Sequence, residues 1–385
     1  MAGDSSSGGI VGADRFAGWP QARARALLLA VVLLLGLSAW VPLTVGRGEV
    51  AKPPVLAGPG AAAKARPRDE DLKLYDIAIA RVRRGENYYG FIAEEHRKAH
   101  YPLRPGVAVR LPTLAYIDAA LGVSGEGSAP LASGAAIALM LGVLWAWWGR
   151  LGFELRGFEP RQAGRLRRMA MALLFLGASL GLNRYYFVLH ELWAGMLVAL
   201  AIGLHRPEGR GGRWLAAWLA AALALAIREH VAPFVLLLAA FAAWRRAWPE
   251  MAAWLGLLVL FAIGLAMHLQ LIAAVTLPGD PVGPSWLALR GLGGWLSDVV
   301  LSSNLRFLPH WAAGPLVMLM VLGFAGWRSG LGAFLTLLYL GYGLLFMIAG
   351  RDDNFYWGAV IAPGMFAGLA FAPMALASLV RRSAA

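Results

Sequence analysis

Three consecutive acids, Asp69-Glu70-Asp71, begin a stretch rich in aromatic and charged side chains that runs to Arg110. A carboxylate in such company can take a proton from a hydroxyl group. Tyr75, Tyr88, Tyr89, Glu95 and His96 follow within the same stretch. Their aromatic faces and polar tips suit a hydroxyl-rich ligand. Three further polar clusters interrupt otherwise apolar sequence. Asn183-Arg184-Tyr185-Tyr186 runs into His190-Glu191, and Arg228-Glu229-His230 precedes Pro233. Arg351-Asp352-Asp353-Asn354-Phe355-Tyr356-Trp357 mixes one cation with acids and aromatics. Arginine and histidine are natural partners for phosphate oxygens, which makes Arg228, His230, Arg184 and Arg351 the candidate anion-binding residues. Asn183, His190, Glu191, Glu229, Asp353, Asn354, Tyr356 and Trp357 are the candidates for reading ligand hydroxyls.

Each cluster also has a plain structural explanation. Acids at a helix start complement its dipole. Arg228 and Glu229 can simply pair. His190 shares a helix face with Asn183 and Tyr186 and can serve as a hydrogen bond between helices. Two histidines and two carboxylates, His190, Glu191, Glu229 and His230, could ligate zinc. They lack the HExxH spacing, so no metal and no cofactor is expected.

The elements that must position these residues are hydrophobic helices. Apolar residues make up 59% of the 385 residues and charged residues 15%. Ten apolar segments can be placed, at 26–44, 130–148, 169–183, 186–204, 214–228, 231–247, 251–273, 308–326, 331–349 and 359–380. A helix needs about 20 residues to cross a hydrocarbon core. The fold class expected is therefore an all-α polytopic membrane protein with about ten transmembrane helices. Arg23 and Arg25 before the first apolar run also fit a signal peptide, but Trp40-Val41-Pro42 is a poor cleavage site. The absence of cysteine excludes disulfides and thiol chemistry.

The net charge of +13 is explained by loops that anchor the orientation, not by nucleic acid. Arg150, Arg156, Arg161, Arg165, Arg167 and Arg168 fall in one such loop, and Arg206, Arg213, Arg245, Arg246 and Arg328 fall in others. This places 1–25 and 381–385 in the cytoplasm. The remaining 26–380 forms a single membrane domain. Its long first outer loop is 45–129 and its second is 274–307. The hairpins at 169–204 and 214–247 leave roughly 15–16 residues per helix, or about 23 Å. Their outer turns should lie below the membrane surface, in a polar pit.

Within the first outer loop, Gly46–Pro67 reads as a linker. Leu72, Tyr75, Ile79 and Val82 then repeat at helical spacing up to Gly85. A second amphipathic segment is expected over Val107–Leu121, with a polar, aromatic turn between the two. In the second loop an interfacial helix is expected near Trp286–Asn304.

Asp71-x-x-x-Tyr75, Gly85-x-x-Tyr88-Tyr89 and Tyr101-Pro102 follow the first apolar helix in that order. With the ten-helix layout, this pattern resembles the GT-C superfamily of membrane glycosyltransferases. It is most similar to polyprenol-phosphate-mannose-dependent mannosyltransferases of the actinobacterial phosphatidylinositol-mannoside type. The resemblance implies a polyprenyl-phosphate-linked sugar donor, a hexose such as mannose, and an acidic base in the first outer loop. It also implies inversion at the anomeric carbon. Carried onto this sequence it selects Asp71 as base, with Glu70 and Asp69 as alternatives within the acid run. The expected partners are the donor, a lipid or glycan acceptor and membrane lipids, at the outer face of a bacterial inner membrane. Rival readings are a polysaccharide polymerase or ligase, a lipid-linked-glycan transporter or flippase, and a non-catalytic scaffold.

Overall fold

A computed structural model of the chain describes residues 14–45, 49–51, 68–123, 129–207 and 213–385. Most of the expected 46–67 linker, the Gly/Ser-rich turn at 124–128 and the first 13 residues of the amino-terminal tail lie outside the described residues. The described chain is overwhelmingly helical; its only sheet pairs β1 (Thr44–Val45) with β2 (Glu49–Val50). Among the described residues four helices are long and apolar enough to cross a membrane, α1 (Gln21–Trp40), α5 (Pro130–Glu154), α10 (Trp248–Val275) and α13 (Gly330–Ile348), and a bent pair near the carboxyl end makes a fifth if it is one span. By length and composition the chain is a helical membrane protein. Their leucines and valines stay exposed, as on α1 and α10, because hydrocarbon replaces water as their solvent.

Other helices are shorter than a span. They are α7 (His190–Leu204), α8 (Leu215–Ile227), α9 (Ala232–Trp244) and α12 (His310–Gly326). At 1.5 Å per residue, α7 is about 23 Å long and α8 and α9 about 20 Å, as the hairpin argument expects. Helix α6 (Pro160–Ala178) begins earlier than its apolar run, because Glu159 caps it by accepting from the Arg161 and Gln162 N–H groups. The last apolar stretch is not one straight helix. It breaks into α14 (Ala362–Met365), a 3-10 turn and α15 (Ala372–Ala384), with a 49° bend. Pro373 has no N–H to continue the ladder.

The first loop departs from its expected form. Helix α2 (Glu70–Arg83) matches the predicted periodicity and buries Leu72, Leu74, Ala78, Ile79 and Val82. It ends before Gly85, whose φ of 86° favours glycine. The predicted polar turn is instead a helix, α3 (Tyr88–Lys98), capped by Asn87 Oδ1 accepting from Tyr89 N–H. It buries Tyr88, Phe91, Ile92, Glu95 and His96. The second predicted segment holds only as α4 (Thr113–Ala120), because Pro112 disfavours helical backbone at Leu111. In the second loop, α11 (Gly291–Leu301) buries Trp295, Leu296, Ser297 and Asp298. It belongs to the core and not to an interface, packing on α13 and on the turn at 352–360.

One ion cluster ties the short helices together. Arg228 lies between α8 and α9 with a wholly buried side chain. Its Nη2 is 2.7 Å from Glu191 Oε1, off the ideal hydrogen-bond line, and its Nη1 donates to Glu229 Oε1 at 2.5 Å. Glu191 is in the first turn of α7, so the pair joins two helical hairpins. Gly195 lets the Ala359 carbonyl approach α7 so closely that a β-carbon would clash. At the other end, Glu250 accepts from His205 at 2.7 Å and from Arg245 and Trp254, joining the ends of α7, α9 and α10.

Removing one member of a buried ion pair strands the other's charge, typically at a cost of about 3–5 kcal/mol. Arg228→Leu should therefore lower the unfolding free energy by about that amount. Adding Glu191→Gln and Glu229→Gln should restore most of it. Thermal unfolding in detergent micelles measures both, and a single variant as stable as the parent would refute the role assigned to the cluster.

Candidate active site

The acid run is held in place by the residue before it. Arg68 grips Asp76 with two hydrogen bonds, 2.7 and 2.9 Å, donates to the Tyr185 carbonyl and lies 4.8 Å from the centre of the Tyr185 ring. Asp69 N–H donates to Tyr185 Oη at 3.2 Å. The start of α2 is thus clasped onto the turn between α6 and α7. Asp69 occupies the N-cap position but its side chain accepts no cap hydrogen bond. Glu70 and Asp71 sit in the first turn, where they complement the helix dipole. Asp71 also accepts a hydrogen bond from the Tyr101 hydroxyl. Burial and the adjacent Asp71 push the Tyr101 phenol above its ordinary range, so it keeps its proton and donates.

Opposite Asp71, a cavity of about 80 Å³ is walled by Tyr75, His96, Tyr101, Arg110, Trp286 and the 351–357 turn. Arg110 donates to Tyr75 Oη at 3.1 Å and to Tyr356 Oη at 3.2 Å. Asn354 Nδ2 donates to the same Tyr356 oxygen at 3.1 Å. Among the described residues no carboxylate lies within ion-pair distance of Arg110. The neighbouring arginines each have at least one: Arg68 has Asp76, Arg228 has Glu191 and Glu229, and Arg290 has Asp298 and Asp352. Arg351 lines the same cavity and reaches Asp353 at 3.1 Å. His96 Nδ1 donates to the Pro102 carbonyl, and burial holds its pKa down to about 4. Neutral His96 therefore keeps Nε2 as an acceptor.

A second, open cavity of about 590 Å³ adjoins the first and shares Asp71, Tyr75, Tyr101 and Tyr356 with it. Asp69, Glu70 and Asp353 also line it, with Tyr186, Arg306 and a set of leucines. Asp71 thus stands where two cavities of different chemistry meet.

Several of the expected ligand contacts lie elsewhere. Arg228 is not available to an anion: it is sealed between Glu191 and Glu229. Those two carboxylates are occupied by the same pair and form structure beneath the cavity. His230 packs on Trp357 at 4.2 Å and sits 3.3 Å from Glu229. Glu95, buried in α3, is engaged by Arg81 and Lys98. Asn183 caps a turn by accepting from Tyr185 N–H, and Arg184 beside it is exposed, lining neither cavity. Tyr88 donates to the Arg110 carbonyl, so it positions Arg110 from behind. Tyr89 donates to His268 Nδ1 at 3.0 Å, while His268 Nε2–H donates to the Val109 carbonyl. That clasp joins the shelf to α10. His190 meets Tyr75 edge-on at 5.1 Å. Tyr75, His96, Arg351, Asp353, Asn354, Tyr356 and Trp357 do line the cavities.

Sequence reasoning does not single out Arg110, Arg68 or Arg306 as site residues; Trp286 is expected to shape the acceptor side, and Tyr101 enters only as part of the Tyr101-Pro102 motif. The available signal for Arg110 is that it is the lone cation in a largely apolar run from Val107 to Ile117. Compared with protein-family models, curated proteins and solved structures, the chain matches none.

Behind the site lies a cavity of about 20 Å³ between α2, α3 and α4. Asp118 points into it fully buried, with both oxygens unpartnered. Burial, reinforced by Asp76, pushes its pKa up to about 8. A carboxyl raised in the folded state above its unfolded value contributes its full stability below about pH 4 and loses it as pH rises through about 8. Asp118→Asn should therefore flatten the fall in unfolding temperature between about pH 4 and about pH 8 and be the more stable protein at the alkaline end. Parallel pH-dependent slopes for the two proteins would contradict this assignment.

Proposed function

We propose that this protein is a membrane glycosyltransferase of the GT-C type. It moves a sugar, a hexose such as mannose, from a polyprenyl-phosphate donor to a lipid or glycan acceptor. In this reading ten helical segments span a bacterial inner membrane, both termini are cytoplasmic, and the shelf of α2, α3 and α4 faces outward. The excess of arginine at the opposite end of the bundle supports that orientation.

The observation that carries the proposal is the pairing of Asp71 and Arg110 around one cavity. Among the described residues the base has no cation, and the cation no carboxylate, within ion-pair distance. Glycosyl transfer from a phosphate donor needs those two functions and no more. Asp71 takes the proton of the acceptor hydroxyl as its oxygen bonds to the anomeric carbon. The bond from that carbon to the phosphate oxygen breaks on the opposite face, and its electron pair leaves with the phosphate. Attack from that side inverts the anomeric centre. Arg110 and Arg351 take up the charge that collects on the leaving phosphate. Tyr75 and Tyr356 fix the Arg110 guanidinium in advance, so little reorganisation accompanies the reaction. Tyr101 keeps the Asp71 carboxylate oriented by its hydrogen bond. Trp286, Trp357 and neutral His96 offer stacking faces and an acceptor for the sugar ring.

Purified protein in lipid nanodiscs, given a panel of polyprenyl-phosphate sugars, provides the test. Transfer should depend on one donor and fall about 10²–10⁴-fold in Asp71→Asn. Arg110→Gln should fall at least about 10²-fold, with Arg110→Lys between it and the parent. An Asp71→Asn protein that inserts correctly and retains the parental rate would rule the mechanism out.

A further inference from the structure

The segment joining α10 to α11 has two unlike faces. Over 284–290 it runs beside the end of α13. Ala288 N–H donates to the Ile348 carbonyl at 3.2 Å, Arg290 N–H to the Met347 carbonyl at 2.8 Å, and Gly350 N–H to the Trp286 carbonyl at 2.7 Å. On the inner face Trp286 lines the small cavity, and Arg290 pairs with Asp298 at 2.9 Å and Asp352 at 3.5 Å. The outer face carries Leu287 and Leu289, 79% and 88% exposed. Among the described residues no large apolar side chain is more exposed than Leu289. Two neighbours define what surrounds this face. Leu337, Leu340, Leu344 and Ile348 form an exposed apolar stripe at helical spacing along α13, a helix of membrane-crossing length. The stripe ends where Leu289 and Leu287 begin, because Ala288 is bonded to Ile348. Val41 stands over Gly293 in the first turn of α11, which sets Trp40, 85% exposed at the end of α1, at the same end of the bundle.

We propose that the 284–290 strap rests in the bilayer interface, with Leu287 and Leu289 inserted into the leaflet at the end where α1 and α13 finish. The inference does not depend on the transferase reading. Two neighbouring leucines this exposed mark an interaction surface, and in the acyl region they continue the α13 stripe without a break. Trp40 marks the level, because tryptophan rings collect at head-group depth. The backbone fits the interface and not the hydrocarbon core. The strap pairs with the end of one helix only, and an open edge of backbone does not lie deeper in lipid. Charge agrees, since Arg290 is turned inward onto two acids. A protein partner would have to cover the α13 stripe as well, which hydrocarbon already solvates. The bilayer therefore backs the wall that carries Trp286, and the membrane forms part of the enclosure of the small cavity.

The chain has no cysteine, so single-cysteine variants of the full-length protein each carry one nitroxide label. In phosphatidylcholine nanodiscs, the label's collisions with oxygen, which partitions into hydrocarbon, are compared with its collisions with a water-soluble nickel chelate. Leu340→Cys on α13 supplies the bilayer value, and Arg83→Cys, exposed on α2, supplies the water value. At Leu287→Cys and Leu289→Cys the oxygen-to-nickel ratio should exceed that of Arg83→Cys several-fold. It should stay below that of Leu340→Cys and match that of Trp40→Cys. A ratio equal to the Arg83→Cys value at either leucine places the strap in water and overturns the proposal. Labels shielded from both reagents overturn it too, because a protein surface would then cover the leucines.

Discussion

The Arg228 guanidinium, closed off between Glu191 and Glu229, is the interaction on which the rest of this structure depends. Its side chain is wholly buried, in a bundle whose helices are otherwise almost entirely apolar. A charge there persists only when paired, because the surrounding medium cannot solvate it. The pairing requires the start of α7 and the turn between α8 and α9 to meet at one depth. Once they meet, the short helices α7, α8 and α9 have one end together, next to the recess that the two cavities form. The 352–360 turn then settles over α7 at Gly195 and brings Asn354, Tyr356 and Trp357 to that recess.

The shelf closes the recess from the side by three separate clasps. Arg68 binds Asp76 and Tyr185, Tyr89 reaches His268 on α10, and Tyr88 supports the backbone at Arg110. Each clasp is a polar contact between the first loop and either a membrane helix or the shelf itself. Together they set Asp71 beside one cation-lined cavity and one cavity of mixed polarity. Arg68, Arg228 and Arg290, each paired with a carboxylate, tie elements of the scaffold together, while Arg110 and Arg306 line the cavities with no carboxylate within ion-pair distance among the described residues, and Arg351 lines one of them while paired with Asp353.

Much of this architecture was legible in the chain. The apolar runs predicted most helices at nearly their observed positions, and the hairpin lengths predicted the short α7, α8 and α9, while α6 reaches back to Pro160 and is longer than its apolar run. The α2 periodicity was plain because Leu72, Ile79 and Val82 lie on one face. The α3 helix was not, because its eleven residues begin with Tyr88-Tyr89-Gly90 and carry Glu94-Glu95-His96 in the middle. Its helicity comes from the Asn87 cap and from packing against α2. The last apolar stretch, 359–380, reads as a single span although it holds Pro363 and Pro373, because a proline marks a place and not an angle.

By itself the sequence determined that this is a helical membrane protein, and which residues are polar enough to matter. Composition and spacing carry that information because burial in hydrocarbon follows residue type. Only the tertiary structure decided what each charge does. Both Arg228 and Arg110 lie in apolar surroundings; Glu229 beside Arg228 hints at a pair, but nothing along the chain shows that Glu191 completes it or that Arg110 meets tyrosines instead of a carboxylate. The difference lies in partners such as Glu191 and Tyr356, distant in sequence from the arginines they meet, whose approach is set by helix packing. Electrostatic energy depends on distance in space, and distance in space is what the fold supplies.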